Sequence, residues 1–127
     1  MPHRNIAKAQ QRHIIAKTFV SLGTEMRSSL LPEQDVTDAT AGTLMLVSAA
    51  VLVGQVEGRL MNVTKLAHYV RLPRTTVLRK LELLTELGLV VRQGQNWRLS
   101  DKRAKCISPD YLKRATKIIR DAAQELA

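Results

Sequence analysis

Apolar residues near the amino end recur at Ile15, Phe19, Leu22, Met26 and Leu30, spaced four, three, four and four. That period predicts one face of an amphipathic helix, which Pro32 ends. Arg4, Lys8 and Arg12 fall on the same angular face, so the stripe turns from basic to apolar along its length. The apolar part is expected to pack while the first turns protrude. A second helix is expected to start within Asp35 to Asp38 and to run through an uncharged stretch from Ala39 to Val56. Thr40, Gly42, Thr43, Ser48, Gly54 and Gln55 make that stretch too polar for a bilayer span of minimum length. It reads as a helix buried in a protein core.

From Asn62 onward the periods shorten. Asn62 suits a helix cap, and Val63 to Val70 is read as a short helix with Leu66, Ala67 and Val70 inward. Leu72-Pro73 stops it. A second helix starts at Arg74, turns Val77, Leu81 and Leu84 to one side, and stops at Gly88. Leu89, Val90 and Val91 then form a β-prone run, Gln93-Gly94-Gln95-Asn96 a turn, and Trp97 to Ser100 an alternating return strand. In the last segment Ser108 caps a helix, Pro109 takes its first position and Asp110 its first turn. Tyr111, Leu112, Ala115, Ile118, Ile119, Ala122 and Leu126 there share an arc of about 120° opposite a charged face. So regular a stripe needs a cover.

Composition supports a mainly α fold. Only 3% of the 127 residues are aromatic, so the core must be Leu, Val, Ile and Ala. A chain of this length is expected to form one domain, with residues 1–57 as amino-terminal helices, 58–100 as a central core and 101–127 as a carboxy-terminal helix. A single cysteine, Cys106, excludes an intramolecular disulfide framework and a multi-cysteine zinc site. Net charge is +9, which points to a polyanionic partner without choosing between nucleic acid and membrane. Its distribution changes the picture: from Arg71 to Lys105 nine basic residues face three acids, two-thirds of the whole excess in about a quarter of the chain. A phosphate-binding surface concentrates charge in this way, whereas a merely solvated one spreads it.

The run LAHYVRLPRTTVLRKLELLTELGLVVRQGQNWRLS resembles the winged helix-turn-helix of bacterial transcriptional regulators, most closely the multiple-antibiotic-resistance regulator (MarR) type. LPRTTV is also similar to the isocitrate-lyase regulator (IclR) group, whose large effector domain this chain has no room for. The resemblance covers about 40 residues, through Leu66-Ala67, RTTVLRKL, Leu87 to Val90 and the hairpin. More loosely, it makes Asp35 to Val56 and Ser108 to Ala127 dimerisation helices. It implies a small β-wing, double-stranded DNA as partner, a homodimer and a regulator of transcription. A small-molecule effector is also implied, but no polar cluster in the sequence supports a site for one.

A helix fits the major groove of B-DNA, and its first residues approach the base edges. Here these are Arg74, Thr75 and Thr76, with Arg79 one turn on. Arg pairs bidentately with guanine or phosphate; Thr hydroxyls and helix-start N–H groups suit phosphate. Thr75 and Arg79 are expected to face DNA, Thr76 to be partly structural, and Lys80 to lie nearer the packed side. Leu78 either touches a thymine methyl or packs against protein. In the hairpin, Arg92, Gln95, Asn96 and Arg98 would reach the backbone or minor groove. Trp97 reads as core rather than a base-stacking platform. Lys102, Arg103 and Lys105 would add nonspecific phosphate contacts, and Arg4, Lys8 and Arg12 offer an amino-terminal arm.

No catalytic constellation stands out, so no enzyme is expected, and no cofactor or metal. His3, His13 and His68 lie far apart, and none has a metal-binding spacing. Cys106 reads as an ordinary thiol rather than a redox sensor, and Gly54 to Gly58 lacks the Lys-Ser/Thr of a phosphate loop. Basic residues interrupt any secretory apolar core at the amino end, and a mitochondrial presequence is the weaker rival; a cytoplasmic location is expected. Two alternatives stand beside the regulator: a winged-helix protein-interaction module, and an accessory DNA-binding protein of phage or plasmid replication.

Overall fold

The computed structural model describes residues 6–30, 38–105 and 108–127. It is mainly helical, with six helices and one small antiparallel sheet among the described residues. The chain divides into two compact units, one of residues 35–107 and one of residues 1–34 with 108–127.

The larger unit holds α2 (Asp38–Val56), β1 (Met61–Asn62), α3 (Val63–Val70), α4 (Arg74–Glu86), β2 (Val90–Gln93), β3 (Asn96–Leu99) and α5 (Asp101–Lys105). α2 packs against α3, α4 and β3, with Ala41, Leu44, Val47, Ala50 and Val51 forming its buried face. Val77, Leu81 and Leu84 of α4 and Leu66 of α3 are completely enclosed. Val63 is buried as well, while Val70, expected inward, is half-buried. The opposite side of α2 leaves Leu46, Leu52 and Val56 exposed.

Local chemistry sets the element ends. The Asn62 side chain accepts from the Lys65 N–H at 2.9 Å and caps α3. Gly58, Gly88 and Gly94 turn the chain at positive φ, and among the described residues so does one non-glycine, Arg71, at φ 59°. That conformation costs an L-residue about 1 kcal/mol relative to glycine. After α2 the backbone folds back on the helix, with the Arg59 N–H donating to the Gly54 carbonyl at 2.8 Å. The close approach leaves no room for a side chain: a Cβ on Gly54 would sit 2.8 Å from the Arg59 carbonyl oxygen and 3.0 Å from Met61 Cε.

The sheet has the order β1-β3-β2. β2 and β3 form the expected hairpin, with Val90 opposite Leu99 and Arg92 opposite Trp97. β1 is a third strand that sequence did not predict, pairing Met61 with Trp97 and Asn62 with Asn96. The short α5 was not predicted either.

The smaller unit pairs α1 (Lys8–Leu30) with α6 (Pro109–Leu126). Ser108 caps α6, accepting from the Asp110 N–H at 3.2 Å, and Pro109 sits at the helix start as expected. Arg114 of α6 donates to Glu25 of α1 at 2.9 Å. Lys117 donates to Asp121 at 2.7 Å, and this bond, helped by the carboxylate charge, holds the ammonium pKa above its ordinary value. Apolar burial is sparse: Ile6, Ile14 and Ala115 are the buried apolar side chains described in this unit. The expected stripe on α1 exists but is not enclosed within the unit, since Ile15 and Phe19 stay exposed and Leu22 and Met26 are half-buried. The seam lies one step round the helix, where Ile14 is buried and Thr18, Ser21 and Glu25 are half-buried. On α6 the inner edge is Tyr111, Ala115, Ile118 and Ala122, and Leu112, Ile119 and Leu126 are exposed beside it.

The two glycines of α2 have opposite surroundings, so alanine should act with opposite sign. Gly54→Ala drives a Cβ into backbone and should cost about 1–3 kcal/mol by overpacking. Gly42 is exposed with nothing near a built Cβ, and Gly42→Ala should stabilise by about 0.5–1 kcal/mol. Urea unfolding of both variants reads the two signs directly.

Candidate nucleic-acid interface

Burial of Val77, Leu81 and Leu84 fixes the rotation of α4 about its axis. The 3.6-residue period then turns Arg74, Thr75, Arg79, Glu82 and Glu86 outward, and all five are exposed. Thr76 and Lys80 stand at the boundary and are half-buried, as their angular positions require. No side chain caps the helix start, because Pro73 occupies the cap position. The first-turn N–H groups beside Arg74 and Thr75 are therefore open to an external acceptor, at the end where the helix dipole is positive.

Arg74 is held in place. Its Nε donates to Thr64 Oγ1 at 3.3 Å across the turn from α3. The guanidinium thus keeps its terminal amino groups for another partner while its stem is oriented. Thr64 itself was not singled out by sequence; its signal was its place in the first turn of α3, just after the Asn62 cap.

Strand parity sorts the hairpin residues. Arg92 pairs with Trp97 and therefore shares its face, whereas Asn96 and Arg98 take the other face. A cleft of about 350 Å³ opens between α4 and the sheet, bordered by Thr64, Arg74, Leu78, Arg92, Gln95 and Trp97. Two of the expected hairpin residues, Arg92 and Gln95, thus converge with Arg74. Arg92 also donates from Nε to the Gly94 carbonyl at 2.8 Å, which braces the turn. Trp97 is buried, in keeping with a core role, and half-buried Leu78 borders the cleft beside it.

Arg98 is engaged elsewhere. It donates to the Leu99 carbonyl at 3.1 Å and lies 3.7 Å from the Asp101 carboxylate. Asn96 is half-buried on that same face. Neither borders the cleft. Lys102 is exposed and Arg103 half-buried on α5, while the side chain of Lys105, with Arg4, His3 and Cys106, lies outside the described residues. Lys8 and Arg12 are exposed on α1 in the other unit. Among the described residues no three of His, Cys, Asp and Glu come together as metal ligands, and no helix is long and apolar enough to cross a membrane.

The hairpin is tied to the helical core by a side chain that sequence did not mark. Gln55, at the end of α2, accepts from the Leu99 N–H at 2.8 Å. β1 is only two residues long and reaches no further along β3 than Trp97, so this amide stands in for the partner that Leu99, paired with Val90 on one side, lacks on the β1 side. Leu99 is itself buried. Gln55→Leu leaves a buried N–H unpaired and should cost about 1–3 kcal/mol in urea unfolding. Hydrogen exchange at Leu99 should quicken; an unchanged midpoint and exchange rate would show that the amide is dispensable.

No protein-family model matches this chain, and no curated protein sequence matches it either.

Proposed function

We propose that the protein is a sequence-specific, homodimeric binder of double-stranded DNA that regulates transcription, with α4 as the recognition helix and the β2–β3 hairpin as the wing. The observation that carries this reading is the convergence of Arg74 on α4 with Arg92 and Gln95 of the hairpin around one open cleft, beside the exposed Thr75 and Arg79. A helix about 10–12 Å across fits the major groove, which is about 12 Å wide. With α4 seated there, Arg79 faces base edges, and the open N–H groups and Arg74 face phosphate. Arg92 and Gln95 follow the flanking backbone or minor groove. The concentration of +6 between residues 71 and 105 supplies the electrostatic part of the affinity.

The same proposal assigns dimerisation to the smaller unit. Ile15, Phe19 and Val20 of α1 and Leu112 and Ile119 of α6 are exposed, and Phe19 retains 79% of its accessible surface. Apolar edges of that extent on two neighbouring helices are expected to be covered by a second copy. Two-fold symmetry then implies half-sites about 10–10.5 base pairs apart, centre to centre, or a multiple of that.

Selection from a random duplex pool at about 50 and 200 mM salt should enrich an inverted repeat and show a steep loss of binding with salt. Salt-sensitive binding without an enriched motif would favour an accessory DNA binder, and no binding at either salt a protein-interaction module. On the selected site Arg79→Ala should cost about 1–3 kcal/mol; an unaltered titration would remove Arg79 from base reading. Ile119→Asp places a charge on the exposed apolar edge of α6 and should convert dimer to monomer in sedimentation. Unchanged sedimentation would move the interface elsewhere.

A further inference from the structure

Four described residues hold positive φ: Gly58, Gly88, Gly94 and Arg71. The comparison between Gly88 and Arg71 is close, because each ends a helix in the same way. Leu89 donates its N–H to the Leu84 carbonyl at 2.9 Å around Gly88, and Leu72 donates to the Ala67 carbonyl at 3.1 Å around Arg71. Both bonds reach five residues back, the helix-ending pattern for which glycine is the unstrained choice. The backbone at position 71 therefore gives no reason for arginine, and opposes it.

The fold gives no compensating reason. Arg71 is exposed, and its side chain makes no hydrogen bond or ion pair among the described residues. It also adds a cation to a stretch already rich in them, three residues from Arg74. Strain kept at an exposed residue with no internal partner points to an external one. Its place in the fold says which kind. Arg71 borders a shallow depression with Thr64, His68 and Leu72, and Thr64 also borders the cleft that holds Arg74 and Arg92. Thr64 borders both depressions, which places Arg71 on the side of α3 next to the cleft that Arg74 and Arg92 border.

We infer that Arg71 is a phosphate-contacting residue that extends the DNA footprint beyond the recognition helix, and that this role is why the turn between α3 and α4 carries arginine where glycine would be less strained. The inference rests on the DNA-binding reading and adds a residue to it. A phosphate contact adds affinity without sequence information, so Arg71 contributes equally on selected and unrelated duplexes.

The test compares the full chain with Arg71→Gly and Arg71→Lys by urea unfolding and by titration of the selected duplex and a random duplex over a salt series. Arg71→Gly should unfold at the same or higher urea, yet bind both duplexes about three- to tenfold more weakly at low salt, with a log–log salt slope shallower by about 0.9 per bound subunit. The ratio between the two duplexes should not change. Arg71→Lys should keep the slope. Wild-type affinity and slope in Arg71→Gly would overturn the inference and leave the DNA reading standing. A loss of stability in Arg71→Gly would overturn it too, by assigning the side chain to the fold. Wild-type protein that binds neither duplex would overturn both.

Discussion

The enclosure of Val77, Leu81 and Leu84 is the constraint from which the rest of the larger unit follows. Three side chains at spacings of four and three, each without measurable exposure, allow α4 one rotation about its axis. Against them stand the buried faces of α2 and α3, with Leu44, Val47 and Leu66 equally enclosed and Val51 nearly so. Each leucine among them costs about 2–5 kcal/mol if truncated to alanine, so a rotation that hid Arg79 would sacrifice several such terms at once. The outward set of Arg74, Thr75 and Arg79 is what remains once the inward set is fixed. The chemistry proposed for that face is thus a consequence of packing on the other.

The hairpin depends on the same core through fewer links. Val90, Trp97 and Leu99 anchor its inner face, and the Gln55 amide completes the edge where β1 stops. Because paired residues in an antiparallel ladder share a face, anchoring Trp97 inward carries Arg92 to the cleft side and sends Arg98 to the other. Two arginines six residues apart, alike in a charge count, are separated by strand parity into one that borders the cleft and one that pairs with Asp101.

That distinction marks the limit of what the sequence conveys. Helix periods spread over many residues survive local noise, and so α3, the start of α4, the hairpin and the Ser108 cap are legible from the chain alone. Met61–Asn62 is too short for a period of two to register, and the five residues of α5 are too few for a period of 3.6. The apolar stripe on α1 is visible as a period, but a period does not say what covers it. Glu25 and Thr18 lie on the α6 side, Glu25 through the Arg114 ion pair and Thr18 beside Ile118 and Ala122, while Phe19 faces out. At the site, Arg74, Thr75 and Arg79 could be placed by counting along a helix. Thr64 and Gln55 act through partners ten and 44 residues away, and no local pattern encodes those distances.

The smaller unit poses a different physical problem. Two helices in contact each bury one narrow seam, and here the seam carries little besides Ile14 and Ala115. Helices in water draw most of their stability from tertiary burial rather than intrinsic propensity, and one ion pair between Arg114 and Glu25, partly exposed, is worth about 0–1 kcal/mol. The apolar side chains that would supply the missing burial are present, but they stand on the outer edges as Ile15, Phe19, Leu112 and Ile119. A chain that placed them there by chance would be left with a marginal helix pair and a sticky surface. Placed there for a second copy, they give two-fold burial of both edges in a part of the chain separate from the densest positive charge.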